Sequence, residues 1–343
     1  MPLEVPTGSL LRINPAGDHR HVVISTGSSF RFLDTGVTFV DHEDHVHYFA
    51  DPPKLTELAR PSQKPGHVVN NAGITALFSD GSGLVELFDA STLKSGAPTF
   101  TPYMAAAPHH GVAVPLATPA GGLVVSVGTE TARTGAVALD AARQVIASAD
   151  NCPGLHGEAV AQGGAVSLGC KDGALIYRDG TFRKAQSPAA FGQIGTQLGS
   201  DRSPVLLGDF FVDADAEFER PTQVSLIDSQ SATLRLVNLG TSYSWRSLAR
   251  GADGEALVLG TDGAIHVIDP KLGTVVDRIA VVAPWTEPTA WQEPRPVLTV
   301  VDGHAFVTEP ATSRIHKVDL GQGAVVRTAQ LPRVPNELTG ASH

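Results

Sequence analysis

Three histidines stand in one local context at nearly equal spacing. Pro108, His109, His110 and Gly111 set two adjacent imidazoles between a helix-breaking proline and a glycine, heading the apolar run from Val112 to Pro115. Pro65, Gly66 and His67 precede Val68 and Val69 in the same way. Cys152, Pro153 and Gly154 lead to His156, Gly157 and Glu158, and then into Ala159 and Val160. His67 and His110 are 43 residues apart, and His110 and His156 are 46 apart. In a fold that repeats at that interval, imidazoles at one point of three successive repeats are expected to converge. Neutral imidazole is a common zinc ligand, and three with one further group make a tetrahedral site. His109 and Glu158 are the candidates for that further ligand or for a supporting carboxylate. Gly66, Gly111 and Gly157 would allow close backbone approach where a Cβ would clash.

A second constellation runs from Asp41 to Tyr48, where Asp41, His42, Glu43, Asp44, His45 and His47 can each offer an imidazole or a carboxylate. On an extended segment His45 and His47 share a face, and His42 can fold back to join them. The expectation is a His/Asp-rich metal-acquisition loop over residues 41–51, suited to transient capture of a cation. Its alternative is a solvated polar loop. His266 and His316 alternate inside strand-like runs and are expected to be structural and solvent-facing.

The elements that position these residues follow from a recurring phrase, an apolar alternating strand that ends in Asp before a turn. It ends at Asp34, Asp89, Asp140, Asp179, Asp228, Asp269 and Asp319. Seven copies about 47 residues apart match the period of a four-stranded propeller blade. Asp-Gly turns precede several copies, at 79–83, 170–173 and 260–263, where Gly supplies the positive φ of a tight hairpin. These turns are expected to join the third strand of a blade to the fourth. The fold expected is all-β, a seven-bladed β-propeller forming a single domain over residues 1–343. The segment from Leu10 to Asn14 is expected to complete the last blade and close the ring. Each innermost strand would then begin at the histidine positions, with later counterparts near Gly195, Trp245 and Arg295.

Composition narrows the function. The 25 basic residues are outnumbered by 35 acidic ones, for a net charge of −10, which argues against a nucleic-acid partner. No run approaches the roughly 18 apolar residues of a membrane span, so no membrane insertion is expected. There is no Gly-x-Ser-x-Gly elbow, no phosphate-cradling Gly-Lys-Ser/Thr loop and no His-Glu-x-x-His pair. Met1 to Val5 lacks the basic and apolar segments of a signal peptide, so the chain reads as cytosolic or as a mature form with a new start residue. Cys152 and Cys170 flank an expected hairpin. Their spacing of 18 is compatible with a disulfide or with two buried free thiols.

The stretches 103–115 and 152–158, together with 78–83 and 295–300, resemble the AztD-type zinc metallochaperones. The resemblance covers most of the chain, and its two histidine motifs are not generic propeller vocabulary. It implies a periplasmic or secreted β-propeller, working as a monomer, that carries Zn2+. The zinc is handed to the cognate solute-binding protein of a zinc ABC importer. It implies no catalytic activity, His110 and His156 as the leading ligands with His67 and His109 beside them, and a Cys152–Cys170 disulfide. The 41–47 run is similar to that family's acquisition segment but shorter. Two other readings stay open on the residues alone: a metal-dependent hydrolase or lactonase with Glu158 as base, and an interaction scaffold with structural histidines. Imidazole sites also accept copper and nickel.

Overall fold

The computed structural model describes residues 11–42, 45–117 and 121–341. Seven four-stranded antiparallel sheets follow one another along the chain, each built from strands consecutive in sequence except the first, which is interrupted by a two-stranded insertion. The fold is the all-β, seven-bladed β-propeller that the period predicted. The seven Asp-ending phrases are the third strands of the seven sheets: Ser29–Asp34, Leu84–Asp89, Arg133–Leu139, Gly173–Arg178, Gln223–Asp228, Ala264–Asp269 and Arg314–Asp319.

Two expectations of connectivity need correction. The Asp-Gly turns join the second strand to the third, not the third to the fourth; Ile74–Ser79 turns into Leu84–Asp89, and Ala256–Gly260 into Ala264–Asp269. The fourth strands are outer and largely solvent-facing, as in Ala324–Gln330, which is exposed throughout and so carries little apolar pattern to read. The N-terminal strand does not complete the last blade. Arg12–Pro15 pairs with His21–Ser25 as the innermost strand of the first sheet, and the last sheet takes all four strands from Leu298–Gln330. Leu10 lies outside the described residues.

Contacts between Cα atoms divide the chain into two compact units, Met1–Ile146 with Thr339–His343, and Ala147–Leu338. Within each unit the core is a series of layers between consecutive sheets. In the first, Val23, Phe30 and Phe32 of the first sheet pack on Leu77 and Phe88 of the second, whose other face, through Phe78 and Val85, packs on Leu123 and Val125 of the third. In the second unit, Ile176 and Ala174 meet Leu206 and Ile227, Leu207 and Leu226 meet Val258 and Ile268, and Leu257 and Ile265 meet Ala305 and Val307. The second strands carry much of this core, and one such as Ala165–Cys170 is buried at every position and reads as an unbroken apolar run. Fully burying one such Val, Leu or Ile side chain contributes about 1.5–3 kcal/mol.

Cys152 and Cys170 form a disulfide with Cα atoms 5.0 Å apart, and both are fully buried. It ties the loop that delivers His156 to the end of the neighbouring strand, and Lys171 N donates to Pro153 O at 2.8 Å beside it.

Candidate metal centre

In the first unit His67 lies near the start of the innermost strand Pro65–Asn71. The ladder with the next strand is regular from Val68↔Leu77 onward but slips between Pro65 and Val68. An irregularity of this kind re-aims a side chain without ending the sheet. The following turn folds back on this point, with Asp80 N donating to Lys64 O at 3.0 Å and Gly81 N to Gln63 O at 2.8 Å. Gly66 leaves room for the turn, since a Cβ there would lie 2.1 Å from Asp80 Oδ1.

His110 is presented by the loop before Ala113–Pro115, and its ring centroid lies 5.0 Å from that of His67. Its Nδ1 is 2.6 Å from Asp80 Oδ2. A carboxylate can only accept here, so Nδ1 carries the proton and the lone pair is left on Nε2. An imidazole oriented by a carboxylate in this way is the usual form of a zinc-binding histidine. The His110 side chain is 42% exposed, that of Asp80 15%.

His109 behaves differently. It is buried, stacked edge-on to Phe78 at 5.3 Å, with Nδ1 2.8 Å from Ala107 O and Nε2 2.8 Å from Ser126 Oγ. Both ring nitrogens are engaged in the interior, so the structure does not support the expectation of His109 as a ligand. The two side chains part at the bend of this loop, His109 turning to the core and His110 outward.

In the second unit His156 opens the strand His156–Ala161, again at a slip of register, between His156↔Gly169 and Glu158↔Leu168. Gly157 makes the slip possible. Its φ is +73°, and a Cβ would lie 2.1 Å from Gly195 O, so no other residue fits without strain. That same Gly195 carbonyl accepts the Nδ1–H of His156 at 2.9 Å, which again leaves Nε2 with the lone pair. Glu158 is half-buried in the same strand.

The Gly195–Thr196 backbone is held in turn by Asp209, which is 1% exposed. Its Oδ1 accepts from Gly195 N at 2.7 Å and its Oδ2 from Thr196 N at 2.9 Å. Burial pushes this carboxyl up to about 7, with the backbone donors pulling the other way. Neither Asp80 nor Asp209 was expected from the sequence. Asp80 sits in an Asp-Gly turn whose hairpin geometry accounts for it, and Asp209 ends an apolar strand like any other polar residue.

Among the described residues, the group of His, Cys, Asp and Glu side chains that could hold a metal ion is His67, His110 and His156. His109 and Glu158 are not in it. The 37–50 segment is a hairpin rather than an irregular loop: Val37–His42 pairs with His45–Ala50 in a two-stranded sheet inserted between the third and fourth strands of the first blade. The register sets His42 opposite His45 and Val40 opposite His47. The rings of His42 and His47 are 5.2 Å apart. The side chain of His45, and Glu43 and Asp44, lie outside the described residues. His266 and His316 are structural but not solvent-facing. They are buried in third strands and paired with Asp262 at 3.1 Å and Glu309 at 3.3 Å.

No family model matches the chain. In sequence it is 28% identical over 298 residues to the zinc chaperone AztD of Citrobacter koseri, a match that spans 84% of this chain and 68% of that protein. The crystal structure of C. koseri AztD superposes with a TM-score of 0.79 at 26% identity, covering 95% of this chain and 87% of that one. The apo form of the same protein gives 0.77 at 25% identity with the same coverage. BamB of Moraxella catarrhalis, at 13% identity and a TM-score of 0.53 over 93% of this chain and 87% of its own, shares the fold alone.

Proposed function

From the premise that this chain is AztD-like in both sequence and fold, we propose that it captures Zn2+ and passes it by direct contact to the solute-binding protein of a zinc ABC importer. His67, His110 and His156 are the ligands in this reading. The observation that carries it is the histidine group itself, two of whose members have Nδ1 held by an acceptor, the tautomer in which Nε2 is the unprotonated nitrogen. Neutral imidazoles with a prepared tautomer suit zinc, and the metal here is cargo. A metal that must be given away needs ligands that can be exchanged one at a time. His110, with 42% of its side chain exposed, is the ligand an incoming acceptor reaches first.

The hairpin carrying His42, His45 and His47 is in this proposal a capture site for loose zinc, its described histidines being exposed. The periplasm or the cell exterior is the compartment that fits both the importer partnership and a Cys152–Cys170 disulfide. No catalytic role is assigned. Among the described residues no helix is long and apolar enough to cross a membrane.

The test is competitive zinc titration of the purified protein, then mixing of the loaded form with an apo zinc-binding acceptor. Transfer to the acceptor faster than release into a chelator supports the proposal. Unchanged zinc affinity in His110→Ala and His156→Ala sinks it. Tight binding with transfer no faster than release points instead to storage, and turnover of an ester or lactone points to a metal-dependent hydrolase.

A further inference from the structure

We infer that Asp209 is a positioning residue for His156, acting through the single peptide group between Gly195 and Thr196. The N–H of that peptide, on Thr196, is held by Asp209 Oδ2 at 2.9 Å. Its C=O, on Gly195, accepts the Nδ1–H of His156 at 2.9 Å. Asp209 Oδ1 also takes the preceding N–H, on Gly195, at 2.7 Å, and Asp209 N donates to Thr196 O at 3.0 Å. Both carboxyl oxygens are thus spent on orienting one short piece of backbone whose opposite end faces the imidazole.

Two physical effects follow. Four hydrogen bonds fix the plane of the peptide, and so fix the direction from which His156 is approached. A carboxylate at the N–H end also polarises the amide and makes its carbonyl a stronger acceptor, as in any hydrogen-bonded chain of low local dielectric. The result is an Nδ1–H tautomer for His156, with Nε2 left as the ligating atom. A carboxyl group 1% exposed is costly to bury unless it is fully engaged. The cost has an explanation if the group secures a ligand. His110 meets the same requirement with a carboxylate in direct contact.

For its consequence on binding this inference rests on the zinc reading; the tautomer belongs to the metal-free chain. The experiment is a long-range proton–nitrogen correlation spectrum of metal-free protein with 15N-labelled histidine. Wild-type His156 should show a protonated Nδ1 and a bare Nε2. In Asp209→Asn only one side-chain oxygen remains to accept and the new NH2 opposes a backbone N–H. His156 should then shift toward a mixture of tautomers, the His110 signals should stay in place, and zinc affinity should fall about tenfold. Ser225→Ala, whose hydroxyl touches Asp209 only at its main-chain oxygen at 3.1 Å, should leave the tautomer as in wild type.

An Nε2-protonated His156 in wild type, or an unchanged tautomer in Asp209→Asn, overturns the inference. Should Asp209→Asn not fold, Asp209→Glu is read instead. Changed Gly195 and Thr196 amide shifts with loss of Nδ1 protonation support the inference, and changed shifts with an unchanged tautomer overturn it. A chain that binds no zinc but shows the Asp209 dependence of His156 defeats the zinc reading alone. A chain that binds zinc without that dependence defeats this inference alone.

Discussion

Replacing Asp80 with alanine should weaken zinc binding about tenfold. Its Oδ2 sits 2.6 Å from His110 Nδ1, so it holds the ring in one orientation, fixes the tautomer and makes Nε2 more basic. Losing such a partner costs roughly 10- to 100-fold in metal affinity where the histidine is well enclosed. Here the imidazole is 42% exposed, so water can take over the abandoned N–H, and the loss belongs at the lower end. A tenfold loss corresponds to about 1.4 kcal/mol. Asp80→Asn keeps a neutral acceptor. Since a charge-assisted bond is roughly twice as strong as a neutral one, about half the free energy, or a threefold loss, is expected. The assay is competition against a chromogenic chelator at fixed pH and salt, with His109→Ala measured in parallel. His109 spends both ring nitrogens in the interior, so its removal should lower thermal stability and change zinc affinity by no more than about threefold. The reasoning is refuted if Asp80→Ala binds zinc like wild type with its circular dichroism intact, or if His109→Ala is the more damaging of the two.

Two further outcomes are expected. Cys152→Ser with Cys170→Ser opens a loop of 18 residues and should cost about 3 kcal/mol in chemical denaturation, while releasing the loop that delivers His156; zinc affinity should fall with it, and an unchanged affinity would show that the strand alone places the histidine. Stability should also respond to Asp209: its folded carboxyl is raised to about 7 from the ordinary 3.8, so it binds a proton that the unfolded chain has lost. Its contribution is full below about pH 4 and is lost as pH rises through 7. Wild-type stability minus that of Asp209→Asn should therefore fall between those limits and level off above them, and parallel curves would contradict the assignment.

The blade count was legible because a period-2 apolar strand closed by Asp is set by local rules, and seven copies cannot arise by chance in a sandwich. Strand order within a blade was less legible. The innermost strands are interrupted at Gly66 and Gly157 by register slips, and the outer ones bury almost nothing, so neither announces itself. At the site, spacing picked out His67, His110 and His156 as a set, because residue position within a repeat maps onto position in the fold. Spacing could not separate His109 from His110, whose opposite orientations depend on Phe78 and Ser126. Asp80 was hidden for a related reason: an Asp-Gly pair has a sufficient explanation as a turn. Asp209 left no sequence signal, since its effect reaches His156 through backbone atoms that every residue carries.

The exposed outer strand of the last sheet has a consequence for how the molecules behave in a crowd. An outer strand offers a row of unmatched N–H and C=O groups to any neighbouring chain, and seven sheets multiply that risk. In the first, sixth and seventh sheets the ladder between third and fourth strands is broken by a shift, at Arg31/Leu33, Val267/Ile268 and Lys317/Val318. Charges stand on the same outer strands, at Lys54, Asp277, Arg278 and Arg327. A kinked and charged rim makes a poor template for a second rim. At these three sheets, strand-to-strand adhesion between molecules is disfavoured by the shape and charge of the edge.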